Sequence, residues 1–543
     1  MNQSLLLIIK FILFYLILYF LGRVFLLFLM KVKGRENIES LYFFGFRIST
    51  FYPLTGLIFL GNILFLVNYI IPIQDNLIFI LLLFLTLNLK YKFDIFQLKN
   101  QVKYIPLYLI LLITSFSNGF HYDAGLYHLN NQLWFRESNI IIGFSNIYSV
   151  FGVSSIYEYI SSFLWIDRTY LLLHFLNIIF IGIFYEFMID GIIYHKSRNI
   201  RNSFLMLLIY SLLDNFGYGG GRNGFLYIQS IGKQDVAVAV LFVMVTIFIL
   251  HSLVEKSYKL NEVKLLAFIS LFLFQLKVSS VTIFFLFVIY LIMSSKEISF
   301  IEVLKGIAPA LLIGIFWITK SLLHSGCLVF PLASTCYENF AWVNIDYIKA
   351  VQEVSVAYSN SYNFGDSFIE WTKGYLDYNI NKNIVFNFLA SFTSIIILNL
   401  KFYKKRIEGK NNLIIFIFII INFAFYLSYG PDVRYLMGFQ MFLIMLTGFY
   451  SSVDIKVNYI VAISIIYLSI LLVPRLQNYT SINIIEIIEI TPTEQETIDF
   501  KGRQYPKSGD QCWANLDCSA NREYYYFKDS DSLFKTVLIK SSN

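Results

Sequence analysis

The chain has 543 residues, of which 57% are hydrophobic and only 14% are charged, and its mean hydropathy is +0.64. One soluble core cannot bury that much apolar surface, so the composition excludes a soluble globular protein and predicts an integral membrane protein with many spans. The net charge of +7 is modest, and the basic residues fall in short clusters between apolar runs, which favours topology signals over nucleic-acid binding.

The apolar runs predict an all-α, polytopic fold with about fourteen membrane helices, because roughly 17–25 apolar residues cross the hydrocarbon layer. The first run is too long for a cleavable signal and lacks a small-residue cleavage site before Lys31, so we expect it to remain as a helix. The predicted spans, which form a transmembrane domain over 1–474, are 4–30, 50–72, 76–90, 104–117, 169–189, 202–214, 233–252, 263–276, 279–294, 306–323, 383–400, 413–429, 433–450 and 457–474.

Basic clusters between the predicted spans define the orientation. Under this count they all fall on one face, which is therefore cytoplasmic. The clusters lie within 31–35, 90–103, 195–201, 256–264 and 401–406. Both termini then lie on the extracytoplasmic side of a bacterial inner membrane, as do the loops at 118–168, 215–232 and 324–382 and the tail at 475–543.

The first outside loop carries the strongest candidate for chemistry. Residues 119–135 read GFHYDAGLYHLNNQLWF, directly after an apolar span. Ionisable groups near a membrane are expensive and are usually kept for function, so Asp123 is the candidate catalytic base. His121 and His128 flank it as candidate substrate or phosphate ligands.

Two stretches of this loop have apolar residues at helical spacing. These stretches, 124–135 and 147–165, predict interfacial helices that lie in the membrane plane and bracket Asp123. The alternative is that Asp123 only caps the helix that begins near Ala124.

The second outside loop reads YGGGRNGFLYIQSIGKQDVAVAVL and holds candidate phosphate ligands. Three glycines make the backbone flexible, and the Arg222 guanidinium can form two parallel hydrogen bonds to a phosphate. Lys233 and Asp235 lie at the start of the next predicted helix. A glycine-rich turn that feeds a helix can seat an anion. A flexible turn with a Lys–Asp anchor at the interface is the competing interpretation.

Three further cations fall near outside helix ends, where the positive-inside rule does not require them. Lys277 in FQLKVSS, Lys320 in WITKSLLHSG and Arg434 in YGPDVRYLMGF are therefore candidate phosphate ligands. Snorkelling to the interface is the alternative for the lysines, and a structural Asp–Arg turn is the alternative for Arg434.

Four cysteines form two close pairs in segments that are predicted to lie outside. Pairs in an oxidising compartment predict two local disulfides. Zinc binding, unpaired thiols and cross-pairing between the two segments remain as alternatives. The pairs are Cys327 with Cys336 and Cys512 with Cys518.

The tail at 475–543 is polar and rich in turn signals, which predicts a small extracytoplasmic appendage. At about 70 residues it is too small to be very stable alone without a disulfide or docking on the membrane domain.

Four short segments together carry a family resemblance: YDAGLYH, KQD, SGCLVFP and PDVRY, with GDQCW and Cys518 in the tail. They resemble a family of large bacterial inner-membrane proteins that looks like the GT-C superfamily of glycosyltransferases. The resemblance implies a polyprenyl-phosphate-linked sugar as donor and a glycan or lipid-linked acceptor. It implies that Asp123 is the catalytic base and that Asp235, or else Asp214, is a second acid. No DxD motif lies near Asp123 to support a divalent metal.

The residues fit this chemistry, since a lipid-phosphate sugar needs a base for the acceptor hydroxyl and cations for the departing phosphate. No Rossmann or Walker motif is present for a nucleotide donor. A polysaccharide polymerase or ligase and a lipid-linked-sugar flippase remain as alternatives. A transporter is expected to show inverted repeats and charges near the membrane midplane. Membrane lipids, donor and acceptor are the expected partners, and the oligomeric state is not predicted.

Overall fold

The computed structural model of the protein describes most of the chain. The described residues are 3–31, 41–78, 82, 86, 99–115, 119–166, 170–213, 232–359, 367–377, 379–402, 409–429, 433–451, 496–500, 503–507, 509–519, 525–528 and 534–539.

Helices make up most of the described chain, as the composition predicts. They are α1 (Gln3–Met30), α2 (Tyr52–Asn68), α3 (Lys99–Val102), α4 (Ile105–Ser115), α5 (Leu129–Glu137), α6 (Ile156–Phe163), α7 (His174–Ile193), α8 (Arg198–Leu213), α9 (Asp235–Glu255), α10 (Leu260–Leu276), α11 (Ile283–Ser294), α12 (Phe300–Ser325), α13 (Ile345–Ser359), α14 (Phe368–Asp377), α15 (Asn379–Phe402), α16 (Gly409–Tyr429) and α17 (Val433–Tyr450).

Five segments in the described part of the chain are long and apolar enough to cross a membrane, which supports a membrane protein. They are Leu5–Met30, Ile48–Asn68, Leu171–Ile193, Asp235–Glu255 and Phe300–Ser325. Shorter apolar helices cover Ile283–Ser294, Asn411–Tyr426 and Tyr435–Tyr450. The predicted span 457–474 and most of 76–90 lie outside the described residues.

Helices α1 and α2 pack closely against each other. A side chain at Gly22 would lie 1.8 Å from the Tyr52 carbonyl oxygen, and one at Gly56 would lie 1.9 Å from that of Leu18. Small residues let membrane helices approach this closely, so the two glycines set the α1–α2 contact. Helix α12 lies at the periphery, with Leu311 and Ile315 exposed by 55% and 61%.

The helix ends separate into two sides. At one end, the Phe44 amide donates to Glu262 Oε1 at 2.9 Å and Lys264 Nζ donates to the Leu29 carbonyl at 3.1 Å. The predicted cytoplasmic cluster at 256–264 therefore lies at this end. Helix α10 runs from Glu262 to the opposite end, where Lys277 contacts Asp235 at the start of α9.

The loop predicted at 118–168 and the C-terminal tail pack together at that opposite end. The amide of Ile142 donates to the Lys535 carbonyl at 2.8 Å, and the amide of Val537 donates back to Ile142 at 2.8 Å. The described part of the tail contains two antiparallel hairpins. Their strands are Thr497–Phe500 with Arg503–Pro506, and Tyr525–Lys528 with Thr536–Ile539.

Helices α5 and α6 overlap the predicted stretches 124–135 and 147–165 only in part, and they lack the exposed polar face expected of an interfacial helix. All eight residues of α6 are buried, and so are Asn130, Asn131, Gln132 and Arg136 of α5. Three of these polar side chains donate to protein groups: Gln132 to Glu158, Arg136 to the Ser162 carbonyl, and Asn130 to the tail. Asn130 Nδ2 donates to the Asn515 carbonyl at 2.5 Å.

Candidate active site

Asp123 forms a close ion pair at the start of a single π-helical turn, Ala124–His128. Its side chain makes no capping hydrogen bond, so the capping alternative does not hold. Instead, Lys233 Nζ donates to Asp123 Oδ2 at 2.6 Å. His121 Nδ1 lies 3.6 Å from the other carboxylate oxygen, but it accepts the Asp123 amide at 3.1 Å and therefore brings no proton to the carboxylate.

The Asp123 carboxyl is held in its charged form. Burial raises its pKa, but the hydrogen bond and charge of Lys233 outweigh burial and bring the pKa below the ordinary value of 3.8. The side chain keeps 20% of its surface exposed. An ionised, reachable carboxylate can accept a hydrogen bond from a substrate hydroxyl.

A second ion pair joins Asp235 to Lys277. Lys277 Nζ lies 2.5 Å from Asp235 Oδ1 and 4.5 Å from the centre of the Tyr435 ring. The Asp235 side chain is only 4% exposed, whereas that of Lys277 is 27% exposed. Asp235 therefore serves Lys277 as a counter-ion, and Lys277 presents the more accessible charge.

An apolar groove of about 780 Å³ runs beside Lys277. Helices α10, α11, α12, α13, α16 and α17 line it, together with the loop closed by Cys327 and Cys336. Among its described lining residues Lys277 alone is charged. The groove includes Leu311 and Ile315 of the peripheral helix α12, so an acyl or prenyl chain can reach it from the membrane.

Residues 233–235 join the two ion pairs, because Lys233 contacts Asp123 and Asp235 contacts Lys277. Two residues of backbone span at most about 7 Å, so the two ion pairs are held by neighbouring positions of one segment. Gln234, between them, donates from Nε2 to Glu158 Oε1 at 2.6 Å.

Glu158 is a buried carboxylate with several hydrogen-bond partners, and the sequence analysis did not identify it. It also accepts Gln132 Nε2 at 2.7 Å and hydrogen-bonds His128 Nδ1. His128 therefore contacts the buried Glu158 side chain. The sequence does contain a signal for Glu158, because it is the single acid within the apolar run SSIYEYISSF. A charge among buried apolar residues needs partners.

Lys320 is fully buried, away from the groove lining. It contacts the Ser154 hydroxyl and lies 3.6 Å from the centre of the Trp317 ring. Of the candidate phosphate ligands, Lys277 lines the groove and Lys320 does not. Arg222 and Asp214 lie outside the described residues, as does the side chain of Arg434.

Both local disulfides are present, as predicted. Cys327 pairs with Cys336, and Cys512 pairs with Cys518. The first closes the loop beside the groove, and the second closes a tail loop that packs next to Asp123. Among the described residues, no group of three or more His, Cys, Asp or Glu side chains could hold a metal ion.

Comparison with known proteins places the chain in a family without an assigned activity. No curated protein matches it. The family model described as "Domain of unknown function (DUF8201)" matches residues 5–441, most of the membrane region but none of the tail. The chain therefore belongs to the DUF8201 family.

Proposed function

We propose that the protein is a GT-C-like integral-membrane glycosyltransferase. It moves a sugar from a polyprenyl-phosphate carrier to a glycan or lipid-linked acceptor, on the outer face of a bacterial inner membrane. The observation that carries this proposal is the apolar groove beside Lys277, joined through residues 233–235 to the carboxylate of Asp123.

The groove suits the lipid part of such a donor. Its volume of about 780 Å³ and its apolar lining fit a branched hydrocarbon chain, which can enter past α12. Lys277, on the groove wall, supplies positive charge where the phosphate of the same molecule would lie. A lysine ammonium has three donors, so it can bind a phosphate together with Asp235.

Asp123 suits the acceptor side. The acceptor hydroxyl oxygen attacks the anomeric carbon, and the bond from that carbon to the phosphate oxygen breaks. The hydroxyl proton passes to the Asp123 carboxylate, and the negative charge departs with the lipid phosphate beside Lys277. Lys233 holds Asp123 ionised before the step, so the carboxylate accepts the proton only as the hydroxyl becomes acidic during bond formation.

A deletion strain tests the proposal, with its surface glycans and lipid-linked sugars analysed by mass spectrometry. We expect one sugar residue to disappear from a glycan and its lipid-linked monosaccharide to accumulate. Accumulation of whole repeat units would identify a polymerase or ligase instead. Loss of the same sugar with its lipid-linked donor confined to the inner leaflet would identify a flippase.

A further inference from the structure

The disulfide-closed tail loop, residues 512–518, packs on the turn that follows Asp123. The amides of Cys512 and Trp513 both donate to the Gly125 carbonyl, at 3.0 and 2.8 Å. The carbonyl of Asn515 accepts from Asn130 in helix α5. The tail is thus bonded to the backbone two residues beyond Asp123.

The residues just before Asp123 are held by the same part of the tail. The Tyr122 hydroxyl bonds to the Asp510 carboxylate, and Gln511 Nε2 donates to the Tyr122 carbonyl at 2.9 Å. The Trp513 ring lies 5.7 Å from that of Phe120 in an edge-to-face contact. Tail contacts therefore bracket Asp123 on both sides in the chain.

Gly125 makes the close approach feasible. A side-chain carbon added there would lie 2.6 Å from Cε2 of the Trp513 indole. A π-helical turn is rare and occurs often at functional sites, and here its Gly125 carbonyl accepts two tail amides. The backbone of the turn that follows Asp123 thus packs directly against the tail loop.

We propose that loop 512–518 is part of the active site, with Trp513 as a positioning residue that fixes Asp123 against Lys233. This inference rests on the proposed function for its catalytic consequence, but the positioning itself does not require it. Trp513 acts through the turn and does not touch the reacting atoms. A misplacement of about 1 Å of a catalytic group can cost on the order of 100-fold in rate.

The test compares Trp513→Ala with Trp513→Phe in the full-length protein in lipid nanodiscs. Tyr526→Ala is the matched control, because it removes an exposed aromatic ring from the same tail, on strand Tyr525–Lys528. Two readouts are independent of activity: amide hydrogen exchange over 124–130, and the rate at which a water-soluble carbodiimide modifies Asp123. The third is release of polyprenyl phosphate from polyprenyl-phosphate hexoses.

For Trp513→Ala we expect faster exchange over 124–130, faster modification of Asp123 and a loss of roughly 100-fold in kcat, with the donor KM unchanged. Trp513→Phe should recover most of each change, and Tyr526→Ala should show none. Gly125→Ala should reproduce the Trp513→Ala effects, because its added methyl group would collide with the indole, and combining the two substitutions should add little, since both disrupt the same contact.

Wild-type exchange and modification in Trp513→Ala would overturn the proposal, and so would faster exchange with an unchanged kcat. If the wild-type protein releases no polyprenyl phosphate from any donor, the proposed function fails. In that case exchange and Asp123 modification still decide whether the loop positions Asp123.

Discussion

Breaking the Asp123–Lys233 ion pair should destabilise the fold as well as the site. The Lys233 side chain is only 9% exposed, so Asp123→Asn removes the charge of the carboxylate that contacts a nearly buried ammonium. At 2.6 Å and an effective dielectric constant of about 20, the gross attraction is about 6 kcal/mol, before desolvation is subtracted. Loss of one partner costs about 3–5 kcal/mol for a fully buried pair and at most about 1 kcal/mol for an exposed one.

Asp123 is 20% exposed, which places this pair between the two limits. We expect Asp123→Asn and Lys233→Gln each to cost about 2 kcal/mol, and the double variant to cost little more than either. The assay is unfolding by sodium dodecyl sulfate in mixed micelles, as a double-mutant cycle.

The chain offers a matched control for this cycle. Lys507 and Glu496 also lie 2.6 Å apart, but their side chains are 62% and 78% exposed. Their coupling should be close to zero because water screens both charges. An Asp123–Lys233 coupling no larger than that of the control pair would refute the reasoning.

Three further predictions follow from the site. The pKa of Asp123 is lowered in the folded state, so its contribution to stability should be present above about pH 4 and lost as pH falls through that lowered value; a pH titration of unfolding that is identical in Asp123→Asn would contradict this. Lys277→Gln should weaken binding of polyprenyl phosphate, measured by native mass spectrometry, and Lys277→Arg should weaken it less; equal binding by all three proteins would remove Lys277 from the phosphate site. Alkylation of denatured, unreduced protein should label none of the four cysteines, because Cys327 pairs with Cys336 and Cys512 pairs with Cys518. Labelling of either pair would show that its disulfide does not form.

The sequence predicts the class of fold and singles out Asp123 as a candidate because both inferences depend on local signals. Apolar runs of membrane length predict helices, and a lone Asp after such a run stands out. Close spacing of the cysteines predicts the two disulfides, since short loops close easily. These signals need no knowledge of which segments meet.

The partners of each charge could not be predicted from sequence, because they depend on how distant segments meet. Lys233 and Asp235 look like one anchor in the sequence, but Lys233 pairs with Asp123 and Asp235 pairs with Lys277. Lys320 looks like Lys277 in the sequence, but it lies among aromatic rings. Helical periodicity likewise predicts that α5 has a polar face. It does not predict that the tail packs on the loop that contains α5.

Release of polyprenyl phosphate by purified protein tests the proposed function most directly. Wild-type protein, Asp123→Asn and Lys277→Gln would each be incubated in nanodiscs with a panel of polyprenyl-phosphate hexoses and an extract of lipid-linked acceptors. We predict release with at least one donor by the wild type and a loss of roughly 100- to 10,000-fold in Asp123→Asn, as for removal of a general base. Equal release by Asp123→Asn, or no release from any donor by the wild type, would contradict the proposed function.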